Sequence, residues 1–282
     1  MGRWPIKPTK VWEVYKEAVL DANRVVGLAI SGDAQLVALA SENISGPIHQ
    51  VPLPGTNRVM DRGNSSHDLD ITVHFVQPDE QELAAVSLER AGSSPWVLAV
   101  DDGPAASGEA VPLGPDSVRV SFKDTPEGWA SVRAAVIDLA DTASMSLARR
   151  YASFRPAVSR RVIEKTARQN AVVGAAFFFP GADMPVMTLN QIKMIFSLAA
   201  IHDQEISEDR ALELAGTLGA GFGLRAIGRQ VGAFVPGPGW IYKGVVGYSG
   251  TKALGEAALR YFRSGAVLTP ERIVSEVRRL KR

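Results

Sequence analysis

Two apolar runs in the second half of the chain end in the same way, and that echo narrows the folds open to it. Val173-Gly174-Ala175 leads into Phe177-Phe178-Phe179-Pro180-Gly181, and Val231-Gly232-Ala233 leads into Phe234-Val235-Pro236-Gly237. Proline lacks a backbone donor and blocks a continuing helix, and glycine supplies the reversed backbone that follows one. A second helix-compatible stretch comes after each Pro-Gly, over Met184 to Ile201 and over Trp240 to Phe262. The pattern predicts two helical hairpins packed as an all-α bundle. Between them, Gly216, Gly219, Gly223, Gly228 and Gly232 would each weaken an isolated helix by roughly 1 kcal/mol. Helices that approach one another closely would offset that cost.

A membrane-spanning helix needs about 18 or more consecutive apolar residues. The nearest stretch, Ala171 to Met187, is broken by Pro180, Gly181 and Asp183. A close-packed bundle and a shallow apolar hairpin resting on a bilayer both fit this pattern. Asp183 is a charge inside an apolar motif and needs a partner. It stands just ahead of Met184-Pro185, where a carboxylate can accept amides of the next helical turn. A contact with Lys193 or Arg225 is the alternative. No second carboxylate lies beside it to make an acid–base pair.

The first half reads differently. Lys10 to Asn23 has helical spacing, Arg24 to Ile30 is a short apolar strand, Ser31-Gly32-Asp33 is a turn, and Ala34 to Ser41 is helical. Residues 47–64 and 101–115 are rich in proline and glycine and read as loops. Leu69 to Val76, Trp96 to Val100 and Val118 to Phe122 read as strands, with a helix over Asp79 to Ala91. This alternation predicts a small, Rossmann-like, mostly parallel α/β sheet. Gly128 to Tyr151 reads as one long helix, Pro156 to Asn170 as another, and Glu271 to Arg282 as a final basic helix.

A strand, a glycine turn and a helix invite comparison with a phosphate-binding loop, GxxxxGK[ST], whose amides cradle phosphate while its Lys and hydroxyl hold phosphate and magnesium. Gly27 and Gly32 have the right separation, but Asp33 and Ala34 stand where the Lys and the hydroxyl should be. Pro52-Leu53-Pro54-Gly55 lacks the aspartate of a DxPG-like switch, and Asp101-Asp102-Gly103-Pro104 lacks the Asn and Lys of a base-recognition motif. Ser31, Gly32 and Asp33 stay as the candidate nucleotide-binding residues, and the expected cofactor is none.

The chain of 282 residues carries 31 Lys and Arg against 30 Asp and Glu, so its overall charge draws it neither to nucleic acid nor to acidic substrates. It has no cysteine, which excludes disulfides, thiolate metal sites and a cysteine nucleophile. His67, Asp68, Asp70 and His74 do not converge if they lie on one strand, so no metal site is expected. His202-Asp203 reads as a helix end. The basic residues are bunched: Arg149, Arg150, Arg155, Arg160, Arg161, Lys165 and Arg168 precede the first apolar hairpin with only Glu164 against them. That grouping suits an anionic membrane surface. It lacks the interleaved aromatics of a nucleic-acid platform. The stretch Met1 to Glu17 has no apolar core of a signal peptide, so the expected location is cytoplasmic, with peripheral attachment to the inner membrane.

The runs PGADMPVMTLNQIKMIFSLAAI (Pro180 to Ile201), GFGLRAIGRQVGAFVPGPGW (Gly221 to Trp240) and YSGTKALGEAALRYF (Tyr248 to Phe262) together resemble a bacterial family, domain-of-unknown-function family 697, over roughly residues 165 to 264. The resemblance implies a helical-hairpin domain, often placed after a GTPase or a degenerate GTPase-like domain, with some relatives membrane-associated. The helical part also faintly resembles that of immunity-related GTPases. The resulting expectation is an N-terminal helix (1–23), a pseudo-GTPase-like α/β domain (24–124), basic connecting helices (125–170), an apolar helical-hairpin domain (171–264) and a basic C-terminal helix (265–282). Function is expected to be non-catalytic, that of an adaptor or regulator. A protein partner or self-association is expected, without nucleic acid or a small-molecule substrate. Its interaction residues would be Pro180, Gly181, Asp183, Pro236 and Gly237 at the turns and Arg160, Arg161, Lys165 and Arg168 on the basic run. A nucleotide-responsive switch with a divergent phosphate loop is the alternative.

Overall fold

A computed structural model of the chain describes residues 7–24, 26–45, 50–52, 59–61, 69–78, 95–176, 184–204 and 239–263. The chain forms two compact units, one of Asp21–Val158 and one of Met1–Leu20 with Ser159–Arg282. These differ from the divisions expected from the sequence. The N-terminal helix belongs with the C-terminal helices, and the helices over 126–150 belong with the sheet.

The α/β unit holds strands β1 (Val26–Gly32), β2 (Gln50–Pro52), β3 (Val59–Asp61), β4 (Leu69–Val76), β5 (Trp96–Asp101), β6 (Ala110–Gly114) and β7 (Ser117–Phe122). They form one sheet in the order β2-β3-β1-β4-β5-β7-β6. The four central strands, β1, β4, β5 and β7, run parallel. The short β2–β3 hairpin and β6 add antiparallel edges. Strands β1 and β5 are nearly continuous apolar runs, as suits parallel strands covered on both faces, and Val97, Ala99 and Val100 of β5 are wholly buried, whereas β4 and β7 alternate apolar with polar residues.

Both edges lie where proline and glycine argued for loops. Pro52 ends β2 and Pro112 lies within β6. Proline is tolerated in a strand only at an edge or an end, so these residues mark edges rather than forbid strands.

Helix α2 (Ala34–Ala40) follows β1, and α3 (Pro126–Ala140) and α4 (Ser144–Arg150) follow β7. Thr125 caps α3 through Oγ1, which accepts from the Gly128 amide, and Pro126 fills the first turn. Trp129 of α3 packs on Phe75 and Phe122 at ring separations of 5.6 and 5.0 Å, and its indole donates to Asp124 Oδ1. The single helix expected over Gly128 to Tyr151 is in fact α3 and α4. Asp141 breaks it with a φ of 40°, a value no helix interior admits.

The helical unit contains α1 (Pro8–Ala22), whose residues up to Leu20 belong to it, the part of α5 (Arg155–Ala176) from Ser159 onward, α6 (Met184–Ile201) and α7 (Gly239–Arg263). Its core joins Val11, Val14 and Ala18 of α1 to Ile163 of α5, Ile195 and Phe196 of α6, and Leu254 and Phe262 of α7. Tyr15 meets Phe196 edge-on at 5.3 Å. Helix α6 is apolar on nearly every side and largely buried, as expected of a central helix. Its end is a Schellman motif. The Gln204 amide donates to Ala199 O and the Asp203 amide to Ala200 O, with Asp203 at φ 57°. The two second arms thus form helices as expected. The Pro-Gly turns, the 216–232 glycines, and the helices expected over Asp79 to Ala91 and Glu271 to Arg282 lie outside the described residues. Among the described residues, no helix is long and apolar enough to cross a membrane.

Candidate functional site

The α/β unit adds strands on both sides of β1, the β2–β3 hairpin on one and β4 on the other. Ligands of open α/β sheets bind outside the carboxyl ends of the strands at such a point. Ser31, Gly32 and Asp33 all lie there, but not as one turn. Ser31 and Gly32 complete β1, in register with His74 and Phe75 of β4. Gly32 has a φ of 114°, and a Cβ there would come within 1.9 Å of the Phe75 carbonyl oxygen. The Asp33 amide donates to that same oxygen at 2.8 Å.

The Asp33 carboxylate turns inward on its own helix. Oδ1 accepts from the amides of Gln35 (2.9 Å) and Leu36 (3.0 Å), capping α2. A phosphate cradle would present helix-start amides to the ligand. Here two of them are held by the protein's own anion. The sequence marks Asp33 as a charge opposed to triphosphate. Its place just before a helix is also an N-cap signature.

Beside it, Ser31 Oγ lies 2.7 Å from His74 Nδ1. Burial holds the His74 imidazole below its usual pKa, favouring the neutral ring. His49 and His67 lie outside the described residues. Among the described residues, no group of three or more His, Asp or Glu is placed to hold a metal.

At the carboxyl end of β7, a crevice of about 260 Å³ is lined in part by Ser107, Lys123, Thr125, Glu127 and Ser131. Its hydroxyls serve local structure. Ser107 Oγ accepts from Glu109 N, Thr125 Oγ1 accepts from Gly128 N, and Ser131 Oγ donates to Glu127 O.

In the helical unit, Arg160, Arg161, Lys165 and Arg168 are all exposed on α5. At about 100° per residue they share an arc of roughly 140°. Val172, 68% exposed, continues the same arc. The intervening Glu164 is engaged: it accepts from Tyr248 Oη, from Arg168 Nε at 3.0 Å and from Lys252 Nζ at 3.3 Å. These bonds, that of Tyr248 foremost, hold the Glu164 carboxyl below its usual pKa, and the Lys252 ammonium is held above its own by Tyr248 and Glu164. Lys193, a sequence-based partner for Asp183, pairs with Glu17 of α1 at 2.5 Å. Asp183, Pro180, Gly181, Pro236, Gly237 and Arg225 lie outside the described residues.

A buried polar network was not foreseen from the sequence. Asn170 of α5 donates to Met187 O (3.2 Å) and to Thr251 Oγ1 (2.9 Å), and accepts from Asn190 Nδ2 (2.8 Å). Gln191 Nε2 donates to the same Thr251 oxygen at 2.8 Å. Asn170 and Thr251 have no exposed surface and Gln191 is 2% exposed. Single polar residues in helices read as surface positions, so only the packing of α5, α6 and α7 shows that they meet.

Residues 139–280, about half the chain, match a family model described as Domain of unknown function (DUF697). The match is wider than the stretch over which the sequence runs carry the resemblance, and it begins near the end of α3. No curated protein and no solved structure matches the chain.

Proposed function

The chain belongs to the DUF697 family, and on that premise we propose that it is a non-catalytic adaptor or regulator. Its α/β unit would serve as a pseudo-GTPase-like scaffold rather than a nucleotide site. Its helical unit would bind a protein partner or rest against an anionic membrane surface. The observation that carries the reading is the Asp33 carboxylate, which occupies the helix-start amides where a phosphate would need them. Membrane attachment draws on the exposed Arg160, Arg161, Lys165 and Arg168, each worth about 1 kcal/mol near an anionic bilayer.

Calorimetric titration of the full chain with GTP, GDP and ATP in magnesium tests the first part. No heat of binding is expected, and tight binding of any of them would overturn the reading in favour of a nucleotide-responsive switch. Replacing Gly32 by a bulky residue is not a usable control, because any side chain there collides with the Phe75 backbone. Sedimentation with vesicles of phosphatidylcholine, with and without phosphatidylglycerol, tests the second part. Salt-sensitive binding to the anionic vesicles, lost on changing Arg160, Arg161 and Lys165 to Glu, is expected. Equal behaviour toward both vesicles would leave a protein partner as the reading.

A further inference from the structure

We infer that the Gln191 carboxamide binds a single internal water between α6 and α7. The side chain is 2% exposed, its Nε2 donates to Thr251 Oγ1 at 2.8 Å, and its Oε1 is buried without a hydrogen-bond partner among the described residues. A buried acceptor left in this state is costly, and native proteins satisfy such groups with protein or with water.

Among the described residues, the adjoining Asn170 is committed elsewhere. Asn170 spends both Nδ2 hydrogens, on Met187 O and Thr251 Oγ1, and its Oδ1 accepts from Asn190. Turning the Gln191 carboxamide over only exchanges the orphan. Oε1 would then face the Thr251 hydroxyl and the amide nitrogen would lack an acceptor. A ligand that can either donate or accept suits both orientations, which is what water does and a backbone amide does not. The Thr251 oxygen already accepts two amide hydrogens, so toward such a water it acts as a donor. A buried water typically makes about three hydrogen bonds, and a unit the size of this helical one holds about five such waters.

The test uses the full chain and the variant Gln191→Met, which keeps the side chain's length and removes both polar atoms. The expected result is an ordered water within hydrogen-bonding distance of Gln191 in a high-resolution crystal structure, absent from the Met variant, together with a lower melting temperature for that variant. A wild-type structure without water at Gln191 would overturn the inference. So would a Met variant that melts higher, because removing a truly unsatisfied acceptor relieves the fold. If the variant does not fold, water–amide cross-relaxation at the wild-type Gln191 side chain decides by its presence or absence.

Discussion

Tyr248 on α7 directs its hydroxyl at both carboxylate oxygens of Glu164 on α5, at 2.8 and 2.9 Å. Glu164 is thereby held below the ordinary carboxyl value of about 4.5, with Arg168 and Lys252 adding to the effect. Because the folded value is depressed, the contribution to stability is present above the unfolded value and is lost as pH falls through the lower folded one. Tyr248→Phe removes the foremost cause. Carbon-detected NMR titration should show the Glu164 midpoint moving up, though not fully to its ordinary value while Arg168 and Lys252 remain. An unmoved midpoint would mean that the two cations alone set it.

Gly247 and Gly250 lie one turn apart on α7 and should respond to the same substitution in opposite ways. A Cβ on Gly247 would lie 2.6 Å from the Asn170 carbonyl oxygen and 2.9 Å from Met187 Cε, whereas one on Gly250 meets nothing within 4 Å among the described residues. Gly247→Ala should therefore cost about 1–3 kcal/mol by overpacking. Gly250→Ala should gain about 0.5–1 kcal/mol from helix propensity. Urea unfolding of the two variants measures both. A Gly247→Ala protein as stable as the wild type would show that α5 and α7 do not approach this closely.

How much of this was legible depends on whether the signal is local. The helix-compatible stretch after the Pro-Gly turn, with Pro185 suited to a first helical turn, predicts α6 with its observed bounds, Met184 to Ile201. The alternation of Leu69, Ile71, Val73 and Phe75 with polar residues predicts β4 with its observed bounds as well. The edge strands escaped because Pro52 and Pro112 carry the same local meaning in a loop and at a sheet edge. The Asp141 break escaped because its backbone reversal uses an Asp rather than a Gly. At the candidate site, the missing phosphate-loop residues were visible, but what Asp33 does instead depends on where α2 begins. The Asn170–Thr251 link spans 81 residues of chain, and no spacing rule reaches that far.

His74 gives the α/β unit an acid-sensitive element. Burial lowers its pKa below the ordinary value of about 6.5. Above that value the ring is neutral in both folded and unfolded chains, and its contribution is intact. As pH falls below it, the unfolded chain takes up the proton first, so stability declines until the lower folded value is passed. His74→Gln should flatten the melting temperature between pH 7.5 and 5.5 relative to the wild type. Parallel pH profiles for the two proteins would place the acid sensitivity elsewhere.

Asp33 separates a structural cap from a blocked nucleotide site. Asp33→Ala removes the acceptor of the Gln35 and Leu36 amides, and loss of such a cap costs about 0.5–2 kcal/mol. Asp33→Asn keeps a side-chain oxygen and should lie near the wild type, since Asn and Asp cap about equally well. Removing the carboxylate also uncovers two amides without creating a phosphate cradle. Gly32 stays pressed against the Phe75 carbonyl, α2 is only 7 residues long, and Ala34 supplies no hydroxyl for magnesium. Thermal unfolding should therefore rank Asp33→Ala below both Asp33→Asn and the wild type, with none of the three binding GTP or ATP. If Asp33→Ala instead gains nucleotide binding that the wild type lacks, the carboxylate is a plug in a working site. The scaffold reading would then give way to that of a switch.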